Sequence, residues 1–189
     1  LEDYERIPSG GTPLASIRSM SSARATLELG GAVPSITSAG QRLRDLHSVP
    51  LAPLPLPIGI RQSDALFNAL EDITGMPAPE RYVGQRGRLV DAYVDGHKYV
   101  SGLKAVVYGE EDLVAGLVGF LAEIGVKPLL AATGGKNPGF RRAVSQACDD
   151  LADAPEIAQG VDFQDIAERA RELSPDIMLF INFKGIRNY

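Results

Sequence analysis

Between Gly102 and Gly135 the chain places an amphipathic segment between two short runs that are almost wholly apolar. Lys104 to Tyr108 is rich in β-branched residues and is closed by Gly109. Val126 to Ala132 is a second apolar run, closed by Thr133, Gly134 and Gly135. Both read as buried strands. In the intervening segment Leu113, Leu117, Phe120, Leu121 and Ile124 recur at helical spacing, Val114 and Val118 widen the apolar face, and Gly125 ends it. Two apolar strands joined by such a helix predict a right-handed βαβ crossover in a parallel sheet.

Upstream the pattern is more broken. Thr12 before Pro13 predicts a helix start with Thr12 as N-cap, running through Leu14 to Met20. The preceding Gly10-Gly11 lacks the spacing of a phosphate-binding glycine loop. Ala25 to Leu29, closed by Gly30-Gly31, reads as a short strand. Ser35 to Leu46 reads as a helix with Ile36, Ala39, Leu43 and Leu46 on one face. A strand beginning at Val49 runs into alternating leucine and proline, where Pro50, Pro53, Pro55 and Pro57 remove amide donors. That stretch is an edge strand leading into an extended crossing segment; a polyproline ligand for a partner is the other reading. Ser63 or Asp64 is expected to cap a helix with Leu66, Phe67, Leu70 and Ile73 on one face, ended by Gly75 and Pro77. A long helix of mixed character is expected from Glu80 to Val100.

Downstream, a turn from Gly134 to Gly139 leads to a helix expected over Phe140 to Leu151. Asp162 caps a further helix with Ile166, Ala167, Ala170 and Leu173 inward. Ser174-Pro175-Asp176 ends it, and Ile177 to Ile181 is another strand, with a weak one near Glu156 to Ala158. The fold class is therefore α/β, a Rossmann-like parallel sheet flanked by helices, with a helical and extended N-terminal portion. The expected division is 1–78 as the end of a preceding α/β domain plus crossing segment, 79–101 as a long connecting helix, and 102–189 as a truncated Rossmann-like domain.

Composition narrows the function. A chain of 189 residues with 44% hydrophobic content can bury a core. Its formal charge of -5 gives no electrostatic case for nucleic acid or an anionic membrane. The single cysteine, Cys148, excludes an internal disulfide and leaves no cysteine cluster for a metal, so a cytoplasmic location is expected. The start at Leu1 without Met and the stop after a strand-like run read as a fragment of a longer protein.

In an open parallel sheet, ligands sit beyond the carboxyl ends of the strands. That makes Gly109, Thr133, Gly134, Gly135 and Lys136 the candidate pocket turns, with Phe183 and Lys184 after the last strand. The acidic run Glu110-Glu111-Asp112 satisfies the helix dipole itself and repels a phosphate at the first turn. Lys136 is a solvated loop lysine or an anion clamp. Cys148, among Ala143, Val144, Ala147 and Leu151, reads as a small hydrophobe. His47 and His97 suit helix C-termini, and Asp91 and Asp95 with Arg88 suit a salt-bridged helix surface. These residues designate no catalytic group and no metal ligand. A flavodoxin-like small-molecule module and a structural assembly domain both remain open.

Longer stretches carry a resemblance. Pro79-Glu80-Arg81, Gln85 to Ala92, Asp95-Gly96-His97, Val107 to Val114 and Phe120 to Gly125 together resemble the nitrogenase component 1 family, the molybdenum-iron protein, and its β-type subunits in particular. Gly10-Gly11-Thr12, Arg18-Ser19-Met20 and Ala23 to Leu27 are similar to the second subunit of the scaffold on which the iron-molybdenum cofactor is assembled, and Ser174 to Met178 matches the family's strand entry. The resemblance implies Rossmann-like domains in a nitrogen-fixing or cofactor-building oxidoreductase, paired with an α-type subunit in a heterotetramer and served by an ATP-dependent iron-sulfur reductase. It implies an iron-sulfur cluster in the parent protein, held by cysteines that match no position here, so no cofactor is expected on this chain. The tail Asn182 to Arg187 departs from the small, polar loop the family leads one to expect.

Overall fold

A computed structural model describes residues 11–32, 37–149, 151 and 153–181. The expected N-terminus of the second helix at Ser35, its face residue Ile36, the turn at Phe183–Lys184 and the tail lie outside the described residues. The chain forms two compact units, Leu1–Glu28 with Thr37–Ala52, and Leu29–Ile36 with Pro53–Tyr189.

In the first unit, α1 (Leu14–Ser19) runs into a short 3-10 turn, and α2 spans Ala39–His47. Pro13, not Thr12, is the N-cap of α1, and no side chain caps it. The Ser38 hydroxyl and the Gln41 side chain form a reciprocal capping box that starts α2. Gly40 is buried against Leu51, so close that an added Cβ would lie 2.6 Å from Leu51 Cδ1. Of the expected inner face, Leu43 is half-buried, but Ala39 is exposed and Leu46 is 73% exposed. The strands β1 (Thr26–Leu29) and β2 (Leu51–Leu54), whose last residues are counted with the second unit, pair as a two-stranded sheet.

The second unit begins its helices with α3 (Ile60–Thr74), which starts earlier than Ser63 and has Gly59, at φ 84°, as N-cap. Ser63 instead donates its hydroxyl to the Pro57 carbonyl at 3.2 Å. Gly75, at φ 71°, closes α3 in the left-handed conformation that the glycine predicted. The 21-residue α4 (Glu80–Val100) has the expected bounds and buries no residue.

Four parallel strands form the sheet in the order β5-β4-β3-β6, with β3 at Lys104–Gly109, β4 at Lys127–Thr133, β5 at Glu156–Gln159 and β6 at Ile177–Ile181. Between them run α5 (Glu111–Glu123), α6 (Pro138–Ala147) and α7 (Phe163–Leu173). The α/β reading and its parallel sheet hold. The register of β3 against β4 shifts between Ala105 and Val106, opposite Pro128 and Leu130. Pro128 has no N–H to give the ladder, and the skipped Leu129 takes up the irregularity.

One sheet face, through Ala105, Val107 and Ala131, packs on Val114, Val118, Phe140 and Val144 from α5 and α6. The other, through Val106, Leu130 and Ala132, packs on Ile166 of α7. Strand alternation alone explains why neighbours on β3 enter different cores. Each fully buried Val or Phe here contributes about 1.5–3 kcal/mol. The second face is covered less completely: Met178 and Phe180 of β6 remain 41% and 45% exposed, and Phe180 joins Tyr108 and Phe163 in an aromatic cluster.

Candidate functional site

The strand order places β4 on one side of β3 and β6 on the other, so the sheet's direction of travel reverses at β3. The carboxyl edge beside that reversal is the site that the strand endings designate. Gly109 ends β3 with its α-carbon so close to the Ile181 carbonyl that an added Cβ would collide with it. Thr133 is buried, and its hydroxyl accepts from the Gly135 amide at 3.2 Å. Gly135 in turn packs against the Glu111 carboxylate. Gly134 lies beside the Tyr108 hydroxyl, which donates to the Val161 carbonyl at 3.3 Å. Lys136 is exposed and lays its aliphatic stem over Gly160. Glu111 and Thr133 therefore meet around Gly135, whereas Gly109 is spoken for by β6.

Asn137, which in the sequence is only one residue of the turn from Gly134 to Gly139, organises this edge. Its amide donates to Gln159 Oε1 at 2.8 Å, its side-chain oxygen accepts from Gly139 N at 2.9 Å, and its Nδ2 donates to Glu111 Oε2 at 2.9 Å and to the Ala32 carbonyl. Asp112 Oδ1 accepts from Ala32 N at 2.7 Å. The acidic residues after Gly109 thus do more than complement a dipole: two of them hold other parts of the chain. An asparagine directly before Pro138 does signal a helix N-cap. Nothing in a single sequence signals its bond to a residue 105 positions away.

A second concavity, of about 550 Å³, opens at the amino end of α3 among Ile60, Arg61, Asp64, Asn68, Tyr93 and Glu123. Glu123, the last residue of α5, accepts from the amides of Ile60 at 2.8 Å and Arg61 at 3.0 Å, and from the Tyr93 hydroxyl at 3.2 Å. Burial, reinforced by the negative charge of Glu123, pushes Tyr93 up to about 12. On its rim Arg86 makes a two-pronged ion pair with Asp64, at 2.6 and 2.7 Å, which holds the Asp64 carboxyl below its usual value.

The donors that could ligate iron are Cys148, His47, His97, Asp91 and Asp95. Cys148 is 5% exposed in the α5–α6 core, and burial pushes its thiol up to about 11, so the thiolate that would bind iron is disfavoured. His47 is the last residue of α2, and His97 lies in the last turn of α4 with Nε2 against Gly125. Asp91 and Asp95 are exposed on α4. Among the described residues no group of three or more His, Cys, Asp or Glu side chains is placed to hold a metal ion. These donors do not fit an iron-sulfur cluster.

Comparison with known proteins decides the family. Residues 3–180 match the family model described as nitrogenase component 1 type oxidoreductase. The chain belongs to that family. It is 30% identical over 186 residues to the nitrogenase iron-iron protein beta chain of Rhodobacter capsulatus, covering 95% of this chain and 39% of that one. Against the nitrogenase molybdenum-iron protein beta chain of Clostridium pasteurianum it is 25% identical, covering 94% and 38% respectively. Against the nitrogenase vanadium-iron protein beta chain of Trichormus variabilis it is 32% identical over 142 residues, covering 72% and 29%. A solved structure, nitrogenase Cp1 at pH 6.5, superposes with a TM-score of 0.83 at 23% identity, covering 96% of this chain and 43% of that one, which establishes a shared fold. The chain thus spans about two fifths of the length of the beta chains from Rhodobacter and Clostridium. The β-type resemblance read from Glu80 to Gly125 is upheld. Among the described residues no helix is long and apolar enough to cross a membrane.

Proposed function

We propose that this chain is the scaffold portion of a β-type subunit in a nitrogenase-like oxidoreductase, serving cluster-based electron transfer or cofactor assembly while supplying no cluster ligand itself. The observation that carries the reading is Cys148. In a chain whose relatives are beta chains of iron-iron, molybdenum-iron and vanadium-iron proteins, the one thiol is packed in an apolar core, where burial disfavours the thiolate. The working location is the cytoplasm, and the partners are an α-type subunit in a heterotetramer and an ATP-dependent iron-sulfur reductase. The turns at Gly109, Thr133, Gly134, Gly135 and Lys136 serve this role as structural closures of the sheet. Anaerobic reconstitution with iron and sulfide, followed by iron quantification and visible spectroscopy, tests it: the expected result is no cluster, and a stoichiometric cluster on the chain overturns it.

An assembly role is favoured by α4, which buries nothing and exposes Val83 at 57%, Val94 at 71% and Tyr99 at 76%. Apolar side chains exposed along one helix suit burial against another subunit. Sedimentation of the chain with and without a co-expressed α-type subunit measures this, and failure to co-sediment removes the partner.

A further inference from the structure

At the carboxyl edge the amino ends of α5 and α6 converge where an open α/β sheet would receive an anionic ligand. That position is filled by Gly30, Gly31 and Ala32 of the same compact unit. The peptide of Ala32 is held on both sides: its N–H donates to Asp112 Oδ1 at 2.7 Å, and its carbonyl accepts from Asn137 Nδ2. Arg142 Nη2 donates to the Gly31 carbonyl at 3.3 Å. Ala32 is 3% exposed, and its methyl belongs to the core formed with Val107, Val114 and Phe140. The two glycines permit the approach. A Cβ on Gly30, at φ +124°, would lie 2.6 Å from Asp112 Oδ2, and one on Gly31 would lie 3.2 Å from the Ala143 methyl.

A carboxylate and a carboxamide that bind one peptide N–H and one peptide C=O are complementary to a backbone amide and not to a phosphate, whose oxygens Asp112 and Glu111 would repel. The geometry points to Gly30–Ala32 as a built-in plug: a peptide segment that occupies the ligand position between α5 and α6, with Asp112 and Asn137 as its latch. It rests on side-chain geometry within the second unit, independently of the cluster reading, and it makes the β3–β4 side of the edge a closed joint.

Amide hydrogen exchange followed by NMR tests the plug on the whole chain. In the unsubstituted protein the Ala32 amide is expected to exchange far more slowly than an open peptide. Asp112→Ala should speed that exchange about tenfold or more while the Val107 amide stays protected. Gly31→Leu should do the same from the other side, by pressing the segment off Ala143, and it decides the matter if Asp112→Ala also exposes β3. Free exchange at Ala32 in the unsubstituted protein, or no change in Gly31→Leu, overturns the plug. Adenosine monophosphate and flavin mononucleotide at millimolar concentration should leave Ala32 exchange unchanged. A rise with either would make the segment a displaceable lid, and the plug would be wrong.

Discussion

Glu123 at the end of α5 caps α3 from outside it, its carboxylate 2.8 Å from the Ile60 amide. An acid at a helix C-terminus opposes its own dipole, and here the amino end of a second helix compensates it. Gly59 can offer no side chain to those amides, and a Cβ there would meet Glu123 Oε2 at 2.7 Å. Glu123→Ala is therefore expected to cost about 1–3 kcal/mol in chemical denaturation, with less for Glu123→Gln, which keeps the acceptor oxygen. In the Gln variant the Tyr93 phenol should titrate below about 12 but above its ordinary 10.0, because burial, the larger cause, persists. An unchanged Tyr93 titration in ultraviolet difference spectra would contradict the contact.

Gly109 tolerates no side chain. Gly109→Ala drives a methyl into the Ile181 carbonyl, a backbone atom that can yield only by parting β6 from β3. The expected loss is about 1–3 kcal/mol, with faster amide exchange along Ile177–Ile181 and unchanged exchange in β4. Gly87→Ala, where nothing lies within 4 Å, is the control and should not destabilise.

Cys148 and Tyr93 set an alkaline limit. Both groups have folded pKa values raised above the unfolded ones, from 9.0 to about 11 and from 10.0 to about 12. The folded state therefore holds protons that the unfolded chain has released. Their contribution is complete below pH 9 and is lost as pH rises through 11 and 12. Denaturation midpoints should fall across that window, and by less in Cys148→Ala than in the unsubstituted chain. At pH 8 a thiol reagent should label Cys148 only as fast as the protein opens.

Asp162 supplies a cap whose effect can be separated from packing. Its side chain accepts from Gln164 N at 2.8 Å and Asp165 N at 3.0 Å, and the Asp165 carboxylate returns to the Asp162 amide at 3.0 Å. Asp162→Ala should cost about 1 kcal/mol, and Asp162→Ser should restore most of it. Thr12→Ala, by contrast, should be neutral, since no side chain caps α1.

Sequence reading succeeded where one local rule decides an element. Glu80 to Val100 was legible because Pro79 precedes it and its helical pattern is long, and β3, α5 and β4 because apolar runs and glycine stops agree. It failed where a distant partner decides. Helix α3 starts at Ile60 because Glu123 meets its first amides, 63 residues downstream in the chain, whereas Ser63 looks like a cap and is not. Periodicity puts Leu46 inward, but it lies in the exposed last turn of α2, which runs from Ala39 behind the Ser38 cap to His47. The edge turns were legible as glycines and threonine after strands. Their conversion into a joint by Asn137, Asp112 and Ala32 depends on contacts that no spacing along the chain encodes.

Helix α4 contains Gly84, Gly87 and Gly96, and a Cβ at the last two would touch nothing. Each glycine costs a helix about 1 kcal/mol relative to alanine, and with no residue buried there is little local packing to repay it. Excised as a peptide, this 30 Å rod would melt to coil in water. Its helical form is thus a sensitive gauge of its surroundings, and loss of α4 helicity would be an early spectroscopic sign that its contacts through Tyr82, Arg86 and Tyr93 have loosened.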